Sequence, residues 1–163
     1  MGQPFADSLT QVYNRLFFDE VLRREVERAN RYQSEFSILF VDVDQLEQLN
    51  RRGGKAMGDQ CLKRLAAVVM GAVRAGDIVA RHGGDEFVIL LDHCRPLDAI
   101  QCAHRILERL AEAPGECRFT VSIGLMHYEG VQQVSRPEQL LSHAVHATSQ
   151  AKRQGGNCLG IAV

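Results

Sequence analysis

The stretch Phe36-Ser37-Ile38-Leu39-Phe40-Val41-Asp42-Val43 constrains the fold more than any other part of this chain. It is a near-continuous apolar run rich in β-branched and aromatic residues, the pattern of a strand buried at the centre of a sheet. The run ends on acids, Asp42 and then Asp44. A central strand of this kind carries carboxylates to one rim of its sheet, where burial and mutual repulsion make them chemically useful.

The flanking segments alternate between helix and strand patterns. Asn14 is a good N-cap, and from there to about Tyr32 the residues Leu16, Phe17, Val21, Leu22 and Val26 form a helical stripe. A short helix from about Gln45 stops at Gly53-Gly54; a second starts near Gly58-Asp59 and carries Leu62, Leu65, Ala66, Val69 and Val73. Asp77 to Arg81 and Glu86 to Leu91 read as two strands joined at Gly83-Gly84, where a tight hairpin calls for the positive φ that glycine supplies. Pro96 opens a helix with Ile100, Ala103, Ile106, Leu107 and Leu110 on its apolar face. Phe119, Val121, Ile123 and Leu125 alternate with Thr120, Ser122 and Gly124, which predicts a half-exposed strand. A helix from Pro137 to about Gln154 ends at Gly155-Gly156, and Cys158 to Val163 reads as a closing strand. The order predicts an α+β fold: a ferredoxin-like, palm-like βαββαβ core whose central antiparallel sheet carries its helices on one face.

Composition narrows the function classes. At 163 residues the chain suits one domain, residues 1–163, with 1–12 as a lead-in. A hydrophobic fraction of 45% with 24% charged residues is that of a globular domain. No run approaches the roughly 18 apolar residues of a membrane helix, and the N-terminus lacks a signal-peptide pattern. The net charge of −1 excludes a general nucleic-acid footprint, so any phosphate recognition must be local. Five cysteines without CxxC spacing (Cys61, Cys94, Cys102, Cys117, Cys158) predict buried thiols in a reducing cytoplasm. The six histidines are scattered and predict no ligand set.

Two acid groups carry the chemistry. Asp42-Val43-Asp44 ends the first core strand, and Asp85-Glu86 lies in the hairpin of the next two. If those strands are neighbours, the carboxylates meet at one rim and raise each other's pKa unless a cation neutralises them. Hard oxygen ligands suit Mg²⁺ or Mn²⁺ carried on a nucleoside triphosphate. The competing reading makes Asp85 and Glu86 solvated turn residues and Asp42 a strand end. Asp59 likewise reads either as a ligand-binding acid or as the N-cap of the helix after it. Arg74 and Asp77 read either as an anion-binding pair or as an ordinary helix C-terminus and loop.

The ordered set of motifs resembles the GGDEF family of diguanylate cyclases over nearly the whole chain. The resemblance rests on Asp7-Ser8-Leu9-Thr10, Asn14-Arg15, Asp42-Val43-Asp44, Asn50, Gly54, Gly58-Asp59 and the signature His82 to Phe87. Thr120 to Gly124, Ala151-Lys152, Gly155 and Asn157 complete it. It implies condensation of two GTP into cyclic di-GMP with release of pyrophosphate, in a homodimer whose two domains face each other. It further implies Asp42, the Val43 carbonyl and Asp85 as metal ligands, and Glu86 as the acid that assists deprotonation of the 3′-hydroxyl. Asn50 and Asp59 would read guanine, with Leu46, Glu47 and Lys152 at the phosphates. Arg74, Asp77 and Arg105 would form a product-inhibition site for cyclic di-GMP.

The pattern departs from the family around the phosphates. Leu46-Glu47 stands where Phe-Lys is usual, and Gly156 where arginine is usual. Two phosphate-contacting cations are therefore lost, with Arg51, Lys55 or Arg153 as the available substitutes. The expectation is a cytoplasmic cyclase of weak turnover, one domain of a larger signalling protein. The alternative is a silent GGDEF domain that binds cyclic di-GMP or GTP and regulates an attached phosphodiesterase.

Overall fold

The computed structural model describes residues 4–112, 115, 117–130 and 136–162. Met1 to Gln3 of the expected lead-in and Val163 of the expected last strand lie outside the described residues. The elements in order are α1 (Arg15–Tyr32), β1 (Glu35–Val43), α2 (Leu46–Ala72), β2 (Ile78–Arg81), β3 (Glu86–Asp92), α3 (Pro96–Glu112), β4 (Val121–Glu129), α4 (Pro137–Arg153) and β5 (Leu159–Ile161). The sheet runs β2-β3-β1-β4-β5, with β1 in the middle as its apolar run requires. β1 pairs antiparallel with β3 and β4, and β2 antiparallel with β3. The closing strand β5 is parallel to β4, so the sheet is mixed rather than purely antiparallel. The α+β architecture with its βαββαβ core is as expected.

The helices occupy both faces, not one. Leu39, Val41 and Val43 share a core with Leu62, Leu65 and Val69 of α2 and Ala103 and Ile106 of α3. Phe36, Ile38 and Phe40 share another with Phe18, Leu22 and Val26 of α1 and Leu140 and Ala144 of α4. A strand apolar on both sides requires cover on both sides, at roughly 1.5–3 kcal/mol for each buried large side chain. The same cause overturns the half-exposed reading of the 119–125 segment. β4 starts at Val121, and residues 121–126 are all buried. At Gly124 a Cβ would collide with the Ala144 carbonyl and Thr148, so glycine lets α4 lie directly on the sheet.

Other local differences have plain causes. Asn14 caps α1 by accepting from the Phe17 amide at 3.0 Å, but the buried stripe runs through Phe18, Leu22, Val26 and Ala29 while Leu16 is exposed. The two expected helices around residues 45–72 form one run broken at Gly54 (φ 74°), so Asp59 lies inside a helix and is no N-cap. Gly83 and Gly84 do not adopt left-handed φ; their hairpin is closed by the His82 and Gly83 amides donating to the Glu86 carbonyl at 2.8 and 3.3 Å. Cys61 and Cys117, expected as separate thiols, form a disulfide between α2 and the segment before β4. Cys94 and Cys102 are free and buried, and Cys158 is free and partly buried.

The lead-in is anchored. Val12 is buried, and Tyr13 bridges to Ala80 on the outer edge of β2, which shields that edge from stray pairing. Among the described residues, no helix is long and apolar enough to cross a membrane.

Candidate functional site

The antiparallel ladder brings the two acid groups together. Asp42 faces Glu86 across β1 and β3, and the Val43 amide donates to the Asp85 carbonyl at 3.1 Å. The close seating of α4 delivers Lys152 to the same place. Its Nζ lies 3.2 Å from Asp42 Oδ2 and donates to the Val43 carbonyl at 3.3 Å. The other Asp42 oxygen, Oδ1, is buried with no hydrogen-bond partner. Burial, and then the charge of Asp85, pushes the Asp42 carboxyl up to about 6; Lys152 works against the rise and Glu86 adds to it.

An orphaned buried oxygen, a raised carboxyl, an inward carbonyl and a second acid form a hard-oxygen cradle short of positive charge. The Lys152 ammonium partly fills the role of a cation there, touching one Asp42 oxygen and the Val43 carbonyl. The residues present therefore fit a divalent ion.

Asp44, grouped with Asp42 by spacing, has a different part. It accepts from Thr120 Oγ1 and Ser122 Oγ, each at 2.7 Å, and from the Asn157 amide at 2.9 Å. These bonds clamp the end of β1 to β4 and to the turn after α4. Gly156 lies in that turn at φ 76°, and a Cβ there would begin 2.8 Å from Asp44 Oδ2. The hydroxyls of Thr120 and Ser122 could have been found from sequence only by knowing the β1–β4 register.

The hairpin is held by Arg81, which the sequence marks only as the end of a strand. Its guanidinium donates to the Gly83 carbonyl at 3.2 Å and the Gly84 carbonyl at 2.8 Å, and reaches Asp7 Oδ2 at 3.3 Å. Burial tends to raise the Asp7 carboxyl, but hydrogen bonds from Thr10 and the nearby Arg81 hold it below its usual range. The Asp7-to-Thr10 motif therefore braces the loop that presents Asp85. His82 packs edge-on against Phe40 and lies 3.4 Å from Glu86 Oε2.

Further along, the break at Gly54 folds the two parts of α2 so that Asn50 lies against Gly58, where any Cβ would collide with the Asn50 amide oxygen. Asn50 and Asp59 are thereby brought near each other. Leu46 packs onto the α2–α3 core, and Glu47 points to solvent, 4.0 Å from Arg51. Such an exposed pair is worth little. Arg51, Lys55 and Arg153 are all exposed.

Arg74, Asp77 and Arg105 lie toward the opposite end of the sheet, about 20 Å away by the rise of β3. Asp77 accepts from the Arg74 amide at 2.8 Å and from the Asp92 amide at 3.3 Å; Arg74 Nη2 donates to the Asp92 carbonyl at 2.7 Å. Arg105 makes two bonds to the Ala72 carbonyl, at 3.2 and 2.8 Å, capping the end of α2.

Comparison with known proteins agrees with this fold and its ordered motifs. Residues 5–158 match the family model described as diguanylate cyclase, GGDEF domain. The chain is 35% identical over 155 residues to the bifunctional diguanylate cyclase/cyclic di-GMP phosphodiesterase MucR of Pseudomonas aeruginosa, covering 93% of this chain and 22% of MucR. It is 36% identical over 162 residues to the diguanylate cyclase TpbB of the same species, covering 93% of this chain and 36% of TpbB. The solved GGDEF domain of TpbB superposes with a TM-score of 0.89 at 34% identity, covering 97% of this chain and 94% of that one. The chain thus spans about a fifth to a third of the curated relatives' length. Fold, ordered motifs and comparisons agree: the chain belongs to the GGDEF family of diguanylate cyclase domains.

Proposed function

We propose that this domain condenses two GTP into cyclic di-GMP with release of pyrophosphate, in a homodimer that supplies one GTP from each side. The observation that carries the reading is the orphaned Asp42 oxygen beside the Lys152 ammonium, a cation site built into the rim. Asp42, the Val43 carbonyl and Asp85 would hold Mg²⁺ or Mn²⁺, which when bound lowers the pKa of an attacking hydroxyl and neutralises charge on phosphate. Glu86 stands opposite Asp42 and accepts the 3′-hydroxyl proton. Asn50 and Asp59 read guanine: a carboxylate accepts from guanine N1–H and N2–H, a donor pair adenine lacks. With a cation held by Asp42 and the Val43 carbonyl, Lys152 would be free to turn to the phosphates.

Turnover is weak, because Glu47 and Gly156 replace two phosphate cations and the exposed Arg51, Lys55 and Arg153 replace them only partly. Losing one charge-assisted bond costs about 1.5–3 kcal/mol, or roughly ten- to a hundredfold. Product feedback acts at Arg74, Asp77 and Arg105, where the partly exposed Arg74 guanidinium can leave the Asp92 carbonyl for a phosphate or a guanine edge. The domain acts in the cytoplasm, where GTP is found, as one part of a larger signalling protein. The same two substitutions favour a second reading, a silent domain that binds cyclic di-GMP or GTP and regulates an attached phosphodiesterase.

Incubation with GTP and Mg²⁺ or Mn²⁺, followed by chromatography for cyclic di-GMP, separates the two. Product that disappears with Asp85→Ala supports the cyclase. No product, with cyclic di-GMP binding lost in Arg74→Ala, supports the regulatory module.

A further inference from the structure

We propose that Glu35, His127 and Glu129 form a site for a divalent transition-metal ion, Zn²⁺ in the first instance, at the end of the sheet opposite the acid rim. Glu35 faces Glu129 in the β1–β4 ladder, and His127 faces Ser37 one step further in on the same side of the sheet. One donor atom from each of the three residues lies within 4.8 Å of the other two. His127 Nε2 is 3.7 Å from Glu129 Oε1. Both His127 Nε2 and Glu35 Oε1 are buried and have no hydrogen-bond partner.

Ser37 determines which way the histidine faces chemically. Its hydroxyl has one proton, and Oγ donates to the buried Cys94 carbonyl at 3.3 Å. Oγ also lies 2.9 Å from His127 Nδ1. Whichever way the proton lies, Ser37 occupies Nδ1 and leaves Nε2 facing the two carboxylates; in the Nδ1–H tautomer, with the hydroxyl proton on the carbonyl, Nε2 offers its lone pair to an ion. Two of the three donor atoms, Glu35 Oε1 and His127 Nε2, are buried without a partner, and a cation would join them to Glu129. Arg95, whose charge is felt by Glu35, is bonded to Asp98 at 3.1 Å.

One imidazole and two carboxylates suit Zn²⁺, and the ring nitrogen selects against Mg²⁺. Tetrahedral coordination would bring the donors to about 3.4 Å from one another, given metal–ligand bonds of roughly 2.0–2.2 Å. Glu129, whose side chain is 47% exposed, is free to swing in, and the fourth position is left for water. Ser37 acts as the orienting partner that ligating histidines usually have. The Cys94 carbonyl belongs to the segment between β3 and α3, next to the Asp92 carbonyl that holds Arg74. A bound ion therefore stiffens that segment.

The test is titration of the full chain with Zn²⁺ against a chromophoric chelator in excess Mg²⁺, with folding checked by circular dichroism. Wild type takes up one equivalent that Mg²⁺ does not displace, and the His127 Nε2 resonance shifts on binding. Glu129→Gln, an exposed and conservative change, weakens this binding more than tenfold, and Ser37→Ala weakens it by roughly ten- to a hundredfold. A wild type that takes up no Zn²⁺ would overturn the site. So would Zn²⁺ uptake unchanged in Glu129→Gln and His127→Gln, or an unmoved His127 resonance.

Discussion

The two ends of the sheet treat their charges differently. At the rim, Asp42 keeps a buried oxygen without a partner, and a lysine ammonium is the only cation seen against it among the described residues. At the far end Asp77 accepts from the Arg74 and Asp92 amides, Arg74 Nη2 donates to the Asp92 carbonyl, and Arg105 holds the Ala72 carbonyl. The rim is electrostatically incomplete, whereas Arg74, Asp77 and Arg105 already hold backbone groups without a ligand. Incompleteness marks a place where something must bind for the fold to be at ease; completeness marks one that a ligand can only enter by displacing a bond already made. This difference suits a substrate site that always needs its metal and a feedback site that responds only when product accumulates.

The largest expected effect tests the rim. Asp85→Asn removes one negative charge and should lower cyclic di-GMP formation by about a thousandfold, roughly 4 kcal/mol of transition-state stabilisation. The melting temperature should hold or rise, since the acid repels Asp42. Initial rates and a thermal melt check both. A marked loss of stability instead would make Asp85 a structural residue.

The next effect concerns the tie beside the rim. The Cys61–Cys117 bond closes 56 residues and fixes the segment that leads to Thr120 and Ser122. Cys61→Ser should destabilise the oxidised protein by about 3–4 kcal/mol and the reduced protein by much less. Urea unfolding with and without reductant measures the difference.

At the far end, Glu25 of α1 is a buried acid facing Asp92, Arg28 and His93. Burial, then the hydrogen bond and charge of Asp92, pushes its carboxyl up to about 7. For Asp92, burial tends to raise the carboxyl, but the Glu25 hydrogen bond and His93 bring it below its usual range. A raised carboxyl contributes stability that is complete below the unfolded value near 4.5 and is lost as pH rises through about 7. The lowered Asp92 offsets part of that loss. Glu25→Gln should therefore stabilise the protein by about 1–2 kcal/mol at pH 8.5 and change little at pH 5. Thermal melts at the two values decide it; equal effects at both would remove Glu25 from the account.

The smallest effect sharpens the rim again. Glu47→Lys places a cation where the proposed phosphates lie and should raise kcat/KM by roughly tenfold, read as a lower KM for GTP.

Much of this was legible in the sequence, for identifiable reasons. The Phe36-to-Val43 run could only be a central strand, and its place fixed the meeting of Asp42 with Glu86 once β3 became its neighbour. Asn14, Pro96 and Pro137 mark helix starts through backbone chemistry that tertiary packing rarely overrides. Illegible parts depended on register or three-dimensional proximity. Asp44 looks like Asp42 in sequence, and only the hydroxyls on β4 distinguish them. Arg81 reads as a strand end until its guanidinium is seen holding Gly83 and Gly84. Glu35 on β1 lies 92 and 94 positions before His127 and Glu129 on β4, so no local spacing rule could join it to them. Cys61 and Cys117 share no motif, and Leu16 followed the helical period but fell on the solvent side of it.

The central claim is that the rim is a cation site completed by metal and GTP. Electron paramagnetic resonance of Mn²⁺ with GTP tests it most directly, in a Glu129→Gln background that silences the far end. The account predicts one bound Mn²⁺ per domain that requires GTP and is lost with Asp85→Asn. Mn²⁺·GTP bound equally well by Asp85→Asn would contradict it.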